Sequence, residues 1–170
     1  LVRTGTGDIR IAAGRDIRLA DEKAAIYTAG RIADLANGFV VPANAQFSQG
    51  GGDVSLAAAG DIVGMPSKQL YSNWLFRQGK LNDATGEYTL QPAWWVRFDQ
   101  FQQGIGALGG GSVTLTAGGK VENVSASTPT QARMMATAPD VGQLVKTGGG
   151  DVRVETGVDL VGGQYYAQGA

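Results

Sequence analysis

Four short stretches of the chain share one alternation of apolar and polar residues. They read GDIRIAAGRDIRL from Gly7, GDVSLAAAGDIVG from Gly52, GSVTLTAGGKVEN from Gly111 and GDVRVETGVDLVG from Gly150, and they align without a gap. In each phrase every second residue is apolar over about five positions, which is the period of a strand with one buried face. A corner of small residues follows, where glycine suits positive φ angles. Each phrase therefore predicts two short strands separated by a sharp turn.

A unit with one apolar face can bury that face only when copies of it stack. Stacked copies pair equivalent strands about 4.8 Å apart and align their aliphatic residues in ladders. The phrases begin 45, 59 and 39 residues apart, and intervals of about 40 residues suit two coils of about 20 residues each, with an insertion in the longest interval. We therefore predict an all-β fold, a right-handed parallel β-helix (β-solenoid) with an aromatic-rich insertion. An all-β sandwich also has short strands bounded by glycine, but it does not explain the recurring phrase.

The repeats divide the chain into three parts of one structural domain. Residues 1–64 and 107–170 are predicted to form β-helix coils, and residues 65–106 form the aromatic-rich insertion. The chain begins with Leu1, no signal peptide is recognisable, and a strand signal follows within the first phrase. We therefore expect a segment of a longer polypeptide.

Two further stretches lack the repeat. Residues 21–37 fit either an amphipathic helix or a strand, and the run Ile26, Tyr27 and Thr28 favours the strand. Residues 125–140, SASTPTQARMMATAPD, are small, polar and marked by proline. They predict a loop with one helical turn around residues 131–135.

The insertion concentrates the aromatic residues of the chain. Between Tyr71 and Phe101 lie eight of the 13 aromatic residues (5 Phe, 5 Tyr and 3 Trp), including every tryptophan. Residues 82–86 predict a turn between two extended arms, residues 75–81 and 87–98. Rings with arginine nearby suit the recognition of a sugar or a protein. The candidate ligand-binding residues are Tyr71, Trp74, Trp94, Trp95, Arg97 and Phe98. The favoured alternative is that these rings form a small core against the shaft, because an ordered insertion must bury something.

Composition excludes several kinds of chemistry. The chain has no cysteine and no histidine, which excludes a disulfide framework, a thiolate nucleophile and a Ser-His-Asp triad. Fourteen basic and fifteen acidic residues give a formal charge of −1. We therefore expect no strong positive potential that would attract nucleic acid. No apolar run approaches the length of a membrane span. We expect no cofactor, no metal, no nucleic-acid partner and no membrane span.

Three weaker signals have structural interpretations that we favour. Residues 104–109 match GxGxxG, but no helix signal follows, so a flexible corner is expected rather than a dinucleotide site. Aspartates recur at two repeat positions, where they suit turn capping better than calcium binding. Asp83, Glu87 and Asp99 lie near the aromatic residues, and a carboxylate pair there could serve a glycoside hydrolase or lyase. Their spacing does not indicate such a pair.

The phrases TGTGDIRIAAGRDIRLAD, IYTAGR, GGGDVSLAAAGDI and GGGSVTLTAGGKVEN resemble the haemagglutinin-type repeats of filamentous haemagglutinin-like exoproteins. These are very large bacterial adhesins exported by two-partner secretion. The resemblance covers most of the chain except about residues 65–106, and the opening phrase with AIYTAG is especially similar to the C-terminal regions of some members.

The resemblance implies a β-helical shaft that is secreted or displayed on the bacterial cell surface. It implies export by an outer-membrane secretion partner through other parts of the full chain, and adhesion to a glycan or protein of a host or neighbouring cell. We therefore expect a non-enzymatic structural and interaction segment. A polysaccharide-active enzyme on a β-helix fold and the presenting stalk of a contact-dependent toxin system are the alternatives.

Overall fold

The computed structural model describes residues 1–32, 47–135 and 142–169, and these residues are predominantly β. They form one short helix, α1 (Tyr71–Trp74), and the following strands: β1 (Val2–Thr4), β2 (Ile9–Ala13), β3 (Ile17–Arg18), β4 (Ala25–Thr28), β5 (Arg31–Ile32), β6 (Phe47–Gln49), β7 (Val54–Ala58), β8 (Ile62–Val63), β9 (Leu75–Leu81), β10 (Tyr88–Val96), β11 (Gly104–Ala107), β12 (Val113–Ala117), β13 (Val121–Glu122), β14 (Ala126–Thr128), β15 (Thr130–Met134), β16 (Leu144–Gly148), β17 (Val152–Thr156), β18 (Leu160–Val161) and β19 (Tyr165–Ala167).

The four repeated phrases form two parallel sheets. Sheet I has the order β2-β7-β12-β17, and sheet II has the order β3-β8-β13-β18. In sheet I, Ile9 pairs with Val54, Val54 with Val113, and Val113 with Val152. This register reproduces the gapless alignment of the phrases and confirms two strands in each.

Phrases that follow one another along the chain are therefore direct neighbours in the sheets. Paired strands lie only about 4.8 Å apart, so no further layer fits between β2 and β7 or between β7 and β12. The expectation of two coils in each interval is wrong. The additional residues form segments outside the parallel sheets instead of another layer, and we call these segments excursions.

A third parallel sheet, sheet III, has the order β1-β4-β11-β14-β19. Its strand β4 confirms the strand predicted from Ile26, Tyr27 and Thr28. The chain passes through sheets I, II and III in that order four times, and we call each passage a rung. The rungs span residues 9–28, 54–107, 113–128 and 152–167.

The apolar core lies among the three parallel sheets. Val54, Leu56, Val113 and Leu115 are completely buried in the two middle rungs. Residues of the first and fourth rungs are packed against the same cluster, but several of them are only partly buried, including Ile11 and Val154. Leu56 pairs with Leu115 across the middle strands. The alternation seen in the sequence therefore becomes a ladder of aliphatic side chains that is best buried in the middle.

The recurring aspartates connect the first rung to the second and the second to the third. The backbone N–H of Asp53 donates to Asp8 Oδ1 (3.0 Å), and the N–H of Ser112 donates to Asp53 Oδ1 (2.8 Å). At the second aspartate position, the N–H of Asp61 donates to Asp16 Oδ1 (3.0 Å). This bond, with Arg18, holds the pKa of Asp16 below its usual value. The predicted role of these carboxylates, accepting hydrogen bonds from backbone N–H groups, is confirmed.

The corner glycines are required for a different reason from the one expected. Gly60, Gly118 and Gly157 do not have positive φ angles. A Cβ atom on Gly118 would instead collide with the carbonyl oxygen of Ala59 in the rung below, and one on Gly157 would collide with that of Gly118. Gly118 and Gly157 are therefore required because successive rungs approach each other closely there, whereas the second phrase has Ala59 at the same position. The positive-φ argument is wrong at these positions.

Two of the excursions meet in an antiparallel sheet, sheet IV, with the order β16-β15-β10-β9. Strands β9 and β10 form a hairpin, with Trp95 opposite Phe76. The predicted turn at residues 82–86 is confirmed, since Gly86 (φ 70°) donates its N–H to the carbonyl of Asn82 at 2.8 Å. The second excursion supplies β15, whose Ala132 pairs with Trp94.

The loop and helical turn predicted for residues 125–140 are wrong for the described part of that stretch, because residues 126–128 and 130–134 are strands. The stretch is polar, yet its polar groups are used in the interior. Gln131 Oε1 accepts a hydrogen bond from Val96 N–H (3.1 Å), and Gln131 Nε2 donates to the carbonyls of Phe47 and Leu108 (3.1 Å each). Partners distant in sequence therefore stabilise a strand that has no apolar alternation. The remainder of the stretch, residues 136–140, lies outside the described residues.

Candidate binding surface

One row of residues in sheet III faces away from the core. Strand pairing places Arg3, Tyr27, Gly106, Ser127 and Tyr166 side by side, one from each strand. Side chains alternate across a strand, and the residue that precedes the row position in each of the three central strands belongs to the apolar core. The row is therefore an outer surface that the excursion between β8 and β11 can cover.

Aromatic rings of that excursion pack along the row. Tyr27 stacks on Phe98 at 5.9 Å between ring centroids and meets Phe101 edge-on at 5.6 Å. Trp74 meets Phe101 edge-on at 5.3 Å and Tyr166 edge-on at 6.2 Å. We call these five rings the aromatic layer. It runs from the first rung to the fourth and buries Trp74, Phe98 and Phe101 almost completely.

Gly106 makes room for the layer at the centre of the row. A Cβ atom there would lie 2.7 Å from Leu108 Cδ2 and 3.2 Å from Phe101 Cζ. The expectation that residues 104–109 form a flexible corner is wrong, because residues 104–107 are the buried strand β11. The glycines of this GxGxxG match serve close packing in a sheet and form no turn into a helix.

The six candidate residues chosen from the sequence do not converge on one surface. Trp74 and Phe98 are buried in the aromatic layer, and Trp94 is half-buried and donates Nε1–H to Thr130 Oγ1 (3.1 Å). Trp95 is half-buried on β10. Tyr71 is exposed at 43% and stacks on Tyr166 at 4.8 Å. The structure therefore brings Tyr71 and Trp74 together at Tyr166 and places Phe98 at the other end of the layer.

Arg97, the sixth candidate, is engaged within its own segment. Its guanidinium donates two hydrogen bonds to Asp99 (3.0 and 2.8 Å) and lies over the ring of Phe76, 4.9 Å from the centroid. These bonds, with one from Gln100, hold the pKa of Asp99 far below its usual value. Asp99 is therefore ionised at neutral pH and carries no proton to donate as a general acid.

A cleft of about 500 Å³ opens where the aromatic layer meets the first rung. The guanidinium of Arg3 lies 5.1 Å from the ring centroid of Phe47, 5.7 Å from that of Tyr27 and 5.8 Å from that of Phe98. Lys23 and Asp99 also line the cleft, and Asp99 is paired with Arg97. The arrangement combines ring faces with charged groups of both signs, which suits a ligand that has both apolar and charged parts. Sequence reasoning missed Arg3 and Phe47 because neither lies in the aromatic insertion.

A smaller cavity of about 200 Å³ opens at the other end of the aromatic layer, beside Ser127 and Tyr166. Tyr71 and Trp74 form part of its wall, and Gln103 and Tyr165 complete it with polar groups. Burial raises the pKa of Tyr165, so its phenol keeps its proton at neutral pH. The cavity therefore offers ring faces, amides and hydroxyl groups.

Three further observations bear on function. Within the described residues, no cluster of three or more acidic, histidine or cysteine side chains is arranged to hold a metal ion. The helix found in the described part of the chain is too short to cross a membrane. The chain matches none of the protein-family models, curated proteins or solved structures with which it was compared.

Proposed function

We propose that this chain is a shaft segment of a secreted or surface-displayed bacterial protein of the filamentous haemagglutinin-like type. In this proposal the four rungs wind as a right-handed parallel β-helix. The aromatic layer, with the cleft at one end and the cavity at the other, contacts a glycan or protein on a host or neighbouring cell. Export through an outer-membrane partner is part of the same proposal and depends on other parts of the full chain.

The observation that carries the proposal is the stacking of four rungs in one register under a single aromatic layer. Consecutive parallel strands of one sheet are joined through the other two sheets, and crossover connections of this kind are right-handed in nearly all proteins. Such a stack has no natural limit to its length, which suits a shaft. Rings and cations held on a rigid stack are preorganised for contact with a partner.

The contact function predicts that Arg3→Met abolishes most of the adherence conferred by this chain. Beads coated with the protein are mixed with a panel of animal and bacterial cells, and bound beads are counted. We expect wild-type beads to adhere to at least one cell type and the Arg3→Met protein to show about a tenfold weaker apparent affinity, because the cation within the ring cluster of the cleft is lost.

Arg10→Met is the matched control, because Arg10 lies in the first rung, next to the strand of Arg3, but on sheet I, where it is exposed and paired with Asp8. Its adherence should equal that of the wild type. Equal adherence of the Arg3 and Arg10 variants would mean that the cleft is not part of the contact surface. Failure of wild-type beads to adhere to any cell would contradict the contact function itself.

A further inference from the structure

We propose that the cavity beside Ser127 and Tyr166 binds one neutral pyranose ring of a glycan. The inference names a ligand class for the aromatic layer and so rests on the proposed contact function. The cavity is about 200 Å³, below the range of about 300–1,000 Å³ typical of sites for drug-sized ligands. It therefore accommodates a single ring rather than an oligosaccharide.

The lining of the cavity indicates an uncharged ligand rich in hydroxyl groups. It consists of three glutamines, three tyrosines, two serines and one tryptophan, and none of these described lining residues is charged. A cationic ligand group would lose water without gaining an opposite charge. The cation nearest these rings, Arg77, is already engaged, since it donates to Tyr166 Oη (3.4 Å) and lies 5.8 Å from the ring centroid of Tyr71. Hydroxyl groups, by contrast, find amide and hydroxyl partners on several sides of the cavity.

One acceptor in the wall has no partner within the described structure. Gln103 is 7% exposed, and its Oε1 atom is buried without a hydrogen bond. Nε2 of the same amide donates to the carbonyl of Met65 at 2.8 Å. A buried acceptor that is left unpaired is costly, and a turn of this side chain that brings Oε1 to a ligand hydroxyl in the cavity removes this cost.

The backbone around Gln103 is fixed before any ligand arrives. Gln69 Nε2 donates to the carbonyl of Gln103 at 2.8 Å, and Gln69 Oε1 accepts from the N–H of Gln102 at 2.7 Å. Gln69 thereby clamps the segment that carries the free acceptor. Little backbone freedom remains to be lost on binding, which favours even a small ligand.

Aromatic faces complete the site. Tyr71 and Tyr166 lie parallel, with an interplanar angle of 13° and 4.8 Å between their centroids, and Tyr71 remains partly exposed at the cavity mouth. The C–H face of a pyranose packs well against such a ring while its hydroxyl groups reach the surrounding polar atoms. Rings, a buried acceptor and adjacent hydroxyl groups together fit a neutral sugar.

The test is ligand-observed NMR of the whole protein with the methyl glycosides of galactose, glucose, mannose and N-acetylglucosamine. Glucuronic acid and N-acetylneuraminic acid serve as charged comparisons. We expect saturation transfer to at least one neutral glycoside, with a millimolar dissociation constant. Gln103→Met, which removes the acceptor at similar volume, and Tyr71→Ala should each weaken binding about tenfold or more.

Tyr88→Ala is the matched control for Tyr71→Ala, because Tyr88 is similarly exposed (45% against 43%) and lies outside the cavity. It should bind as the wild type does. Thermal unfolding shows whether Gln103→Met is folded, and Tyr71→Ala tests the cavity independently if it is not. The inference is overturned if no neutral glycoside binds, if only the charged sugars bind, or if Tyr71→Ala binds with wild-type affinity.

The outcomes separate this inference from the contact function. Beads that adhere to cells while the protein binds no neutral glycoside would leave the contact function in place and overturn the sugar site. A protein that binds a glycoside with loss of affinity in the Tyr71 variant, but adheres to no cell, would support the sugar site and contradict the contact function.

Discussion

Replacing Gly52 by alanine is expected to lower the free energy of unfolding by about 3 kcal/mol, whereas the same change at Gly7 should alter it by less than about 0.5 kcal/mol. The two glycines occupy the same position in consecutive phrases. A Cβ atom on Gly52 would lie 2.6 Å from the carbonyl carbon of Gly7 and 2.7 Å from the backbone nitrogen of Asp8. Backbone atoms cannot rotate away as a side chain can, so the rungs must shift.

Gly7 is an internal control for this effect. It lies just before the first rung, and nothing lies within 4 Å of the position that its Cβ would occupy. Urea unfolding monitored by circular dichroism measures both variants against the wild type. A similar small loss of stability in the two variants would mean that the second rung does not rest directly on the first.

Trp74→Ala is expected to lower the free energy of unfolding by about 3–5 kcal/mol, the usual cost of truncating a large buried ring. Trp74 is 2% exposed, and it joins the two ends of the aromatic layer through Phe101 and Tyr166. Its loss leaves a void where neither neighbouring ring can move without breaking its own contacts. The near-ultraviolet circular dichroism of the layer should weaken in parallel.

Tyr88→Ala is again the control, since Tyr88 is exposed beside the hairpin turn and outside the layer. It should change stability by less than about 1 kcal/mol. If Trp74→Ala were as stable as Tyr88→Ala, the rings would not form a packed layer, and the rigid binding surface that we propose would lose its support.

The parallel sheets were predictable because the sequence pattern that specifies each strand lies within the strand itself. Strict alternation over five residues, repeated four times without a gap, predicts both the strands and their register. The number of rungs in each interval was not predictable, because an alignment of repeats does not reveal whether the residues between them add a layer or leave the stack. Only the pairing of Ile9 with Val54 shows this.

Only the hairpin of sheet IV could be predicted, because the pairing of β15 with β10 and β16 is not local. Strand β15 has the sequence TQARM, which carries no apolar alternation, and Gln131 is satisfied by groups of three other segments. Long-range antiparallel pairing of this kind overrides local preference. Local sequence preference, without this pairing, predicts a loop for the same residues.

The candidate site was predictable only in part. Aromatic clustering singled out residues 71–101, whose rings pack on sheet III, and the structural interpretation of Trp74 and Phe98 agrees with their burial. Arg3 and Tyr27 lie in strands far from the insertion, so their place beside Phe98 depends on the pairing of sheet III. The sequence signal available was the alternation of β4, which puts Tyr27 on the face opposite Ile26.

The central claim is that the four phrases are consecutive rungs of one stack, and engineered cysteine pairs test it most directly. The chain has no cysteine of its own. Arg10 pairs with Ser55, and Ser55 with Thr114, on the outer face of sheet I. Paired strands lie about 4.8 Å apart, within the range of about 4.4–6.8 Å that a disulfide bridges between Cα atoms, whereas two rungs span about 9.6 Å.

The measurement is disulfide formation under mild oxidation, mapped by mass spectrometry of the digested protein. The account predicts efficient bridging in the Arg10→Cys/Ser55→Cys and Ser55→Cys/Thr114→Cys proteins, and none within one molecule in the Arg10→Cys/Thr114→Cys protein. A pair at positions 10 and 55 that stays reduced, or a bridge between positions 10 and 114, would contradict the stacking on which both the proposed shaft and the proposed binding surface depend.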